Sequence, residues 1–178
     1  MSTIGFDTSN YTTSTAWTDG KTDINVRQIL YVKDGERGIR QSDGVFQHMK
    51  LMPVMYEKLS EQIDFKDVKA VGVSTRPRCV EGSYMPVFLA GEGYAKVVAN
   101  TLGVPLYEFS HQDGHIMAGI YSSGSFELLE NDFISVHLSG GTTEILKSRY
   151  NEFNFDNEII GGSKDISAGQ FIDRVGVK

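Results

Sequence analysis

Short apolar runs alternating with polar positions open the chain, and a rhythm of three- and four-residue steps follows them. Residues 2–7 have the pattern of a short buried strand that ends in the polar turn Thr8-Ser9-Asn10. Residues 12–18 and 24–33 alternate in strand fashion on either side of the turn signal Asp19-Gly20, which predicts three antiparallel strands. Val45, Met49, Met52, Met55, Leu59 and Ile63 then recur at helical steps, predicting a long helix capped by Ser42 or Asp43 and kinked at Pro53. Residues 69–74 read as a buried strand, and a second helix opens near Pro86 and stops at Gly103. Residues 105–109 give another strand, with a third helix starting just after Ser110.

The resulting order is β-β-β-α-β-α-β-α. Antiparallel strands that feed right-handed β-α-β crossovers make a mixed sheet with helices on its faces. Residues 133–139, 142–149 and 152–160 then predict three more strands, with a helix starting near Ser163. This second series repeats the opening of the first in architecture and not in sequence. The expected organisation is a complete first lobe over residues 1–126 and the start of a second lobe, cut short, over residues 127–178.

Composition narrows the class. Hydrophobic residues make up 40% and charged residues 22%, the balance of a soluble folded protein. No run approaches the ~18 consecutive apolar residues of a membrane span, and Met1 to Gly5 lack the basic and apolar regions of a secretory leader. Cys79 is the single cysteine, so no internal disulfide forms, and the expected location is the cytoplasm. The net charge of −6 argues against autonomous nucleic-acid binding, with only Arg37, Arg40, Arg76 and Arg78 hinting at local basic clusters. An RNA substrate would be held indirectly, with a partner's help.

Four stretches carry candidate chemistry. His111 and His115 stand four apart where a helix is predicted, so both imidazoles share a face and can reach one metal ion; two surface histidines are the plainer alternative. Asp113 falls off that face, so a third ligand comes from elsewhere. In His137-Leu138-Ser139-Gly140-Gly141-Thr142-Thr143 a strand runs into two glycines and then hydroxyl residues, which suits either a phosphate-closing backbone loop or a simple tight hairpin. Thr8, Ser9 and Asn10 form a hydroxyl-rich turn that reads as a phosphate hairpin or as local turn chemistry. Over Gly161 to Arg174 a glycine pair breaks the strand and Ser163 or Asp165 can cap a helix. Asp173 lies two turns in, placed to accept from ribose hydroxyls or to be a solvated carboxylate.

Taken together and in this order, Gly5-Phe6-Asp7-Thr8-Ser9, His111 to His115, Ser139 to Thr143 and Asp165 to Arg174 resemble the motifs of the TsaD (Gcp, YgjD-like) family. That resemblance implies an α/β fold of the actin/sugar-kinase/Hsp70 (ASKHA, ribonuclease H-like) type, with a mixed five-stranded sheet, flanking helices and an incomplete second lobe. It also implies the transfer of a threonylcarbamoyl group from its adenylate to N6 of adenine 37 in tRNA. By the same resemblance His111 and His115 correspond to two ligands of a divalent metal, Fe or Zn. His137, Leu138, Ser139, Gly140 and Gly141 would line the site of ATP or threonylcarbamoyl-adenylate, and Asp173 would meet the ribose. The family's older label, O-sialoglycoprotein endopeptidase, has no counterpart here, because no peptidase nucleophile–base pair is visible.

The sequence departs from the family pattern in three places. Tyr11 and Thr12 stand where the family carries an acidic pair, and hydroxyls do not replace carboxylates as bases near neutral pH. Thr142 replaces the histidine of S-G-G-H-T, and Arg76-Pro77-Arg78 replaces a glycine-rich G-P-G turn. The family's third metal ligand, an Asp, lies beyond Lys178. These departures keep three readings open: a transferase or its paralogue, a non-catalytic partner, and an ATP-using kinase or ATPase. The partner reading expects a TsaB-like protein or self-association through lobe one, and no membrane.

Overall fold

The computed structural model describes residues 1–33 and 38–176. Arg37 and Lys178 lie outside the described residues. The chain divides into two compact units, Met1–Gly114 and His115–Lys178.

In the first unit β1 (Ser2–Asp7), β2 (Thr12–Thr18) and β3 (Asp23–Ile29) form an antiparallel meander. Helix α1 (Gln41–Ser60) leads to β4 (Val68–Arg76), and α2 (Phe88–Leu102) leads to β5 (Leu106–Ser110). The sheet order is β3-β2-β1-β4-β5, with β4 parallel to both β1 and β5. This is the mixed five-stranded sheet that the sequence predicts.

Its core is continuous. Ile4 and Phe6 of β1, Val71 and Val73 of β4, Met52 and Leu59 of α1, and Ala95 and Ala99 of α2 are buried together. Each fully buried Leu, Val, Phe or Met contributes about 1.5–3 kcal/mol relative to exposure. The two alanines let α2 pack against the sheet without bulky side chains, whereas α1 supplies the volume. Gly103 closes α2 in the left-handed conformation at φ +66, where a side chain would be strained.

Several predicted ends shift for local reasons. β3 stops at Ile29 and not at residue 33, because Gln47 of α1 takes over the backbone of Tyr31. The Tyr31 N–H donates to Gln47 Oε1 at 2.8 Å, and Gln47 Nε2 donates to the Tyr31 carbonyl at 2.9 Å. α1 begins at Gln41 after Arg40, so Ser42 and Asp43 lie within its first turn and do not cap it. The helix continues through Pro53 to Ser60. Pro86 precedes α2 in a turn whose carbonyl accepts from the Leu89 N–H at 3.1 Å, and the helix opens at Phe88.

Helix α3 (His111–Ser123) starts directly after β5. The second unit then holds β6 (Phe133–Leu138), β7 (Thr143–Asn151) and β8 (Asn154–Gly162) as an antiparallel sheet in the order β6-β7-β8. Helix α4 (Ala168–Gly176) opens five residues later than the sequence suggests. Ser167, and neither Ser163 nor Asp165, caps it: Ser167 Oγ accepts from the Gln170 N–H at 3.2 Å. Among the described residues no helix is long and apolar enough to cross a membrane.

Candidate functional site

The first unit gathers its polar groups at the C-terminal ends of β1, β4 and β5. Asp7, the last residue of β1, meets His111, the first residue of α3, with Oδ2 2.9 Å from Nδ1. The Ser9 N–H donates to the other carboxylate oxygen at 2.8 Å. Burial pushes the Asp7 carboxyl up. The hydrogen bond and charge of His111, with hydrogen bonds from Ser9 and Ser74, outweigh that push and hold it at about 2. Phe88 lies beside the imidazole, with ring centroids 6.2 Å apart.

His111 is held in place by the cap of α3. The Ser110 N–H and hydroxyl both donate to Asp113 Oδ2, at 3.0 and 2.7 Å. The Asp113 N–H donates back to Ser110 Oγ at 3.1 Å. This reciprocal capping box accounts for the buried Asp113 within the H-x-x-x-H stretch. The Gln112 N–H donates to the Pro77 carbonyl at 3.0 Å, so the Arg76-Pro77-Arg78 turn also supports the helix start.

The three residues of the predicted phosphate hairpin have different tasks. Thr8 is wholly buried, donates to the Val87 carbonyl at 2.8 Å and accepts from the Gly91 N–H at 3.0 Å. Its hydroxyl therefore fastens the turn to the start of α2. Ser9 supports Asp7 through its backbone, and Asn10 takes a left-handed φ of 42 at the tip.

Sequence reasoning passed over His48. It lies inside α1 and is fully buried, with Nδ1 2.7 Å from Thr13 Oγ1, while Nε2 has no hydrogen-bond partner. Burial drives its pKa below the ordinary histidine value, against a backbone hydrogen bond at Asn10 and the charge of Asp7. The clue in the sequence is its spacing: His48 shares the helical face of Met52, Met55 and Leu59.

In the second unit the glycine-rich turn meets the start of α4. The Ser139 N–H donates to the Thr142 carbonyl at 2.8 Å, and Ser139 Oγ accepts from the Gly141 and Thr142 N–H groups at 3.3 and 3.0 Å. The Ala168 N–H donates to Thr143 Oγ1 at 2.7 Å and the Gly169 N–H to the Ser139 carbonyl at 3.2 Å. The Ser167 hydroxyl donates to the Gly140 carbonyl at 2.6 Å. A Cβ on Gly169 would stand 2.6 Å from Gly140 Cα and 2.7 Å from the Ser139 carbonyl oxygen, so only glycine fits. The turn and the A-G pair at 168–169 thus form one assembly, with Leu138 exposed just before it. Asp173 is exposed on α4.

His137 near the end of β6 and His115 of α3 lie together, with ring centroids 5.8 Å apart and planes at 47°. Glu144 of β7 is the register partner of His137. Tyr11 is exposed on the turn before β2. Among the described residues no group of three or more His, Cys, Asp and Glu side chains is close enough to hold a metal ion.

The family described as TsaD, tRNA N6-adenosine threonylcarbamoyltransferase, matches residues 36–177. A tRNA N6-adenosine threonylcarbamoyltransferase of Christiangramia forsetii is 32% identical over 126 residues, covering 70% of this chain and 34% of the relative. One from Pyrobaculum calidifontis is 28% identical over 175 residues, covering 96% of this chain and 47% of the relative. The chain thus spans about a third to a half of the length of these curated relatives. Among solved structures, YeaZ from Pseudomonas aeruginosa superposes with a TM-score of 0.52 at 11% identity, over 92% of this chain and 66% of that one. The last likeness concerns fold alone. With the family match running over residues 36–177, most of its length, the chain belongs to the TsaD family.

Proposed function

We propose that this chain contributes the adenylate-binding part of a tRNA N6-threonylcarbamoyladenosine transferase that acts in the cytoplasm. The observation that carries this reading is the turn–helix assembly of the second unit. Two glycines at 140 and 141 and a third at 169 keep side chains off this assembly, so a ligand can approach its backbone closely. Such a surface suits the phosphate of ATP or of threonylcarbamoyl-adenylate. His137 to Gly141 would line that ligand, and Asp173 on α4 would accept from its ribose hydroxyls. Thr8, Ser9 and Asn10 remain a candidate second phosphate turn, through backbone groups and the Ser9 hydroxyl, because the Thr8 hydroxyl is spent on α2. In this reading residues 1–126 form the first lobe and residues 127–178 open the second.

The residues present also suit part of a metal centre. His111 has a carboxylate on Nδ1, the support usual for an imidazole that ligates through Nε2. His115 follows one helical turn later on α3. These two would hold Fe or Zn, which supplies electrophilic activation of the carbamate when bound. Asp7 orients His111, and the Ser110–Asp113 cap fixes where the helix starts. With Tyr11 and Thr12 in place of an acidic pair, no carboxylate stands there to take the proton from the adenine amine, so transfer by this chain is slow.

Titration calorimetry with ATP and with a stable threonylcarbamoyl-adenylate analogue tests the reading. Binding that falls at least tenfold in Gly169→Val and severalfold in Asp173→Ala supports it. Absence of analogue binding at millimolar concentration overturns it.

A specific observation favours a second reading, a non-catalytic partner. Helices α1 and α2 expose Phe46, Met49 and Val54, and Leu89 and Val97, which are large apolar side chains on the first unit. A TsaB-like protein of the same machinery, or a second copy, would cover them, and tRNA would be reached only through the complex. Sedimentation that finds a monomer at high concentration, with no TsaB-like protein co-sedimenting, excludes this role.

A further inference from the structure

The Arg76-Pro77-Arg78 turn leaves β4 at the carboxyl end of the first sheet, and the adenylate reading gives its two guanidinium groups no role. In open α/β sheets this is the end where ligands bind. Arg76 is the last residue of β4 and the register partner of Ser110, at which β5 passes into α3. The turn is stiff. Pro77 fixes its own φ, its carbonyl accepts from the Gln112 N–H at 3.0 Å, and the Arg78 N–H donates to Ser83 Oγ at 2.9 Å.

The Arg76 guanidinium is partly buried, yet its partners are neutral. Nη1 donates to Thr75 Oγ1 at 3.3 Å, and Nη2 donates to the Cys79 sulfur at 3.7 Å. The first bond is long for its type, and a thiol sulfur is a weak acceptor. Among the described residues no carboxylate forms an ion pair with Arg76. Asp7, the carboxylate at the end of β1, is engaged by His111 and Ser9 instead. A guanidinium drawn partly out of water is stabilised by an anion that accepts from its planar fork. The local charge agrees: between Val68 and Gly91 the chain carries Lys69, Arg76 and Arg78 against the single acid Glu81, although its net charge is −6.

We propose that Arg76 and Arg78 form an oxyanion site that takes a phosphate group, carried either by an RNA backbone or by a free nucleotide. Arg76 supplies the fork that matches two phosphate oxygens, and Arg78 adds a second positive charge two residues on. The pinned turn holds both near their binding positions before the ligand arrives. Binding is non-covalent, and no bond of the ligand is made or broken. The site goes beyond the adenylate reading and stands without it, because its residues belong to the first unit.

Titration of the full chain with pyrophosphate and with an RNA stem-loop, followed through the arginine Nε–H signals, tests this directly. At least one probe should shift the Arg76 signal. Calorimetry should then show Arg76→Gln weakening that probe roughly tenfold or more, as expected for a lost charge-assisted bond, while Arg76→Lys keeps part of the affinity. Amide dispersion checks that both variants are folded, and the wild-type shift stands as a test without them. A shift with RNA, whose salt dependence drops by about one ion in Arg76→Gln, supports the site with a backbone phosphate as ligand. A shift with pyrophosphate alone supports it with a free phosphate as ligand. No Arg76 shift with either probe at millimolar concentration overturns the proposal, and so does Arg76→Gln binding as wild type. Neither of these failures touches the adenylate reading, which analogue binding decides.

Discussion

The two units contrast in how they bury apolar surface. In the first, helices cover the sheet and Ile4, Phe6, Met52, Leu59, Val71 and Val73 are almost wholly enclosed. In the second, the buried apolar residues are Ile120, Leu146 and Phe155 among those described. One face of its sheet leaves Ile134, Val136, Leu138 and Ile145 exposed, and α4 exposes Phe171, Ile172 and Val175. The first unit is therefore stabilised by its core. The second is stabilised mainly by backbone pairing and by the polar clasp between the glycine turn and α4.

This difference sets the expected order of mutational effects. Met52→Ala empties a fully buried position and should cost about 2–5 kcal/mol, read as a lowered urea midpoint. Leu146→Ala has few buried neighbours and should cost the low end of that range, about 2 kcal/mol. Equal losses would break the comparison. Gly169→Ala forces a methyl against the Gly140 backbone and should cost about 1–3 kcal/mol. Its signature should be faster amide exchange across residues 168–176, with β1 and β4 unchanged.

A smaller effect comes from pH. His48 has its pKa lowered in the folded protein, so the unfolded chain takes up the proton first as acid is added. Its contribution is fully present above the unfolded value of about 6.5 and is lost as pH falls toward the folded value. Denaturation midpoints of the wild type should therefore drop between neutral and mildly acidic pH by at most one proton's worth, and His48→Gln should flatten that part of the profile. The smallest effect is at the surface, where Asp132→Asn removes an exposed ion pair with Lys147 and should leave the midpoint unchanged.

The first unit was largely legible in the sequence because periodicity reports burial. β1, β2 and α1 stand where the alternation and the three-four rhythm put them, since each hides one face in the core. The second unit gave up its strands but not its helix start. Ser163 and Asp165 look as capable of capping as Ser167 does, and only the docking of Gly169 on Gly140 chooses among them. The same limit applies to the sites. The spacing of His111 and His115 can be read along one helix, whereas the pairs Asp7–His111 and His115–His137 join elements far apart in the chain. Thr8 resembles a phosphate ligand until its hydroxyl is seen engaged with Val87 and Gly91.

The reciprocal bond between Ser110 and Asp113 acts as a clock setting for α3. An α-helix advances about 100° per residue, so a start displaced by a single position would swing every later side chain by more than a quarter of a circle. Four atoms at the mouth of β5 thereby decide the compass bearing of His111. A one-residue insertion between Ser110 and His111 would leave the composition almost untouched and still aim that imidazole away from Asp7.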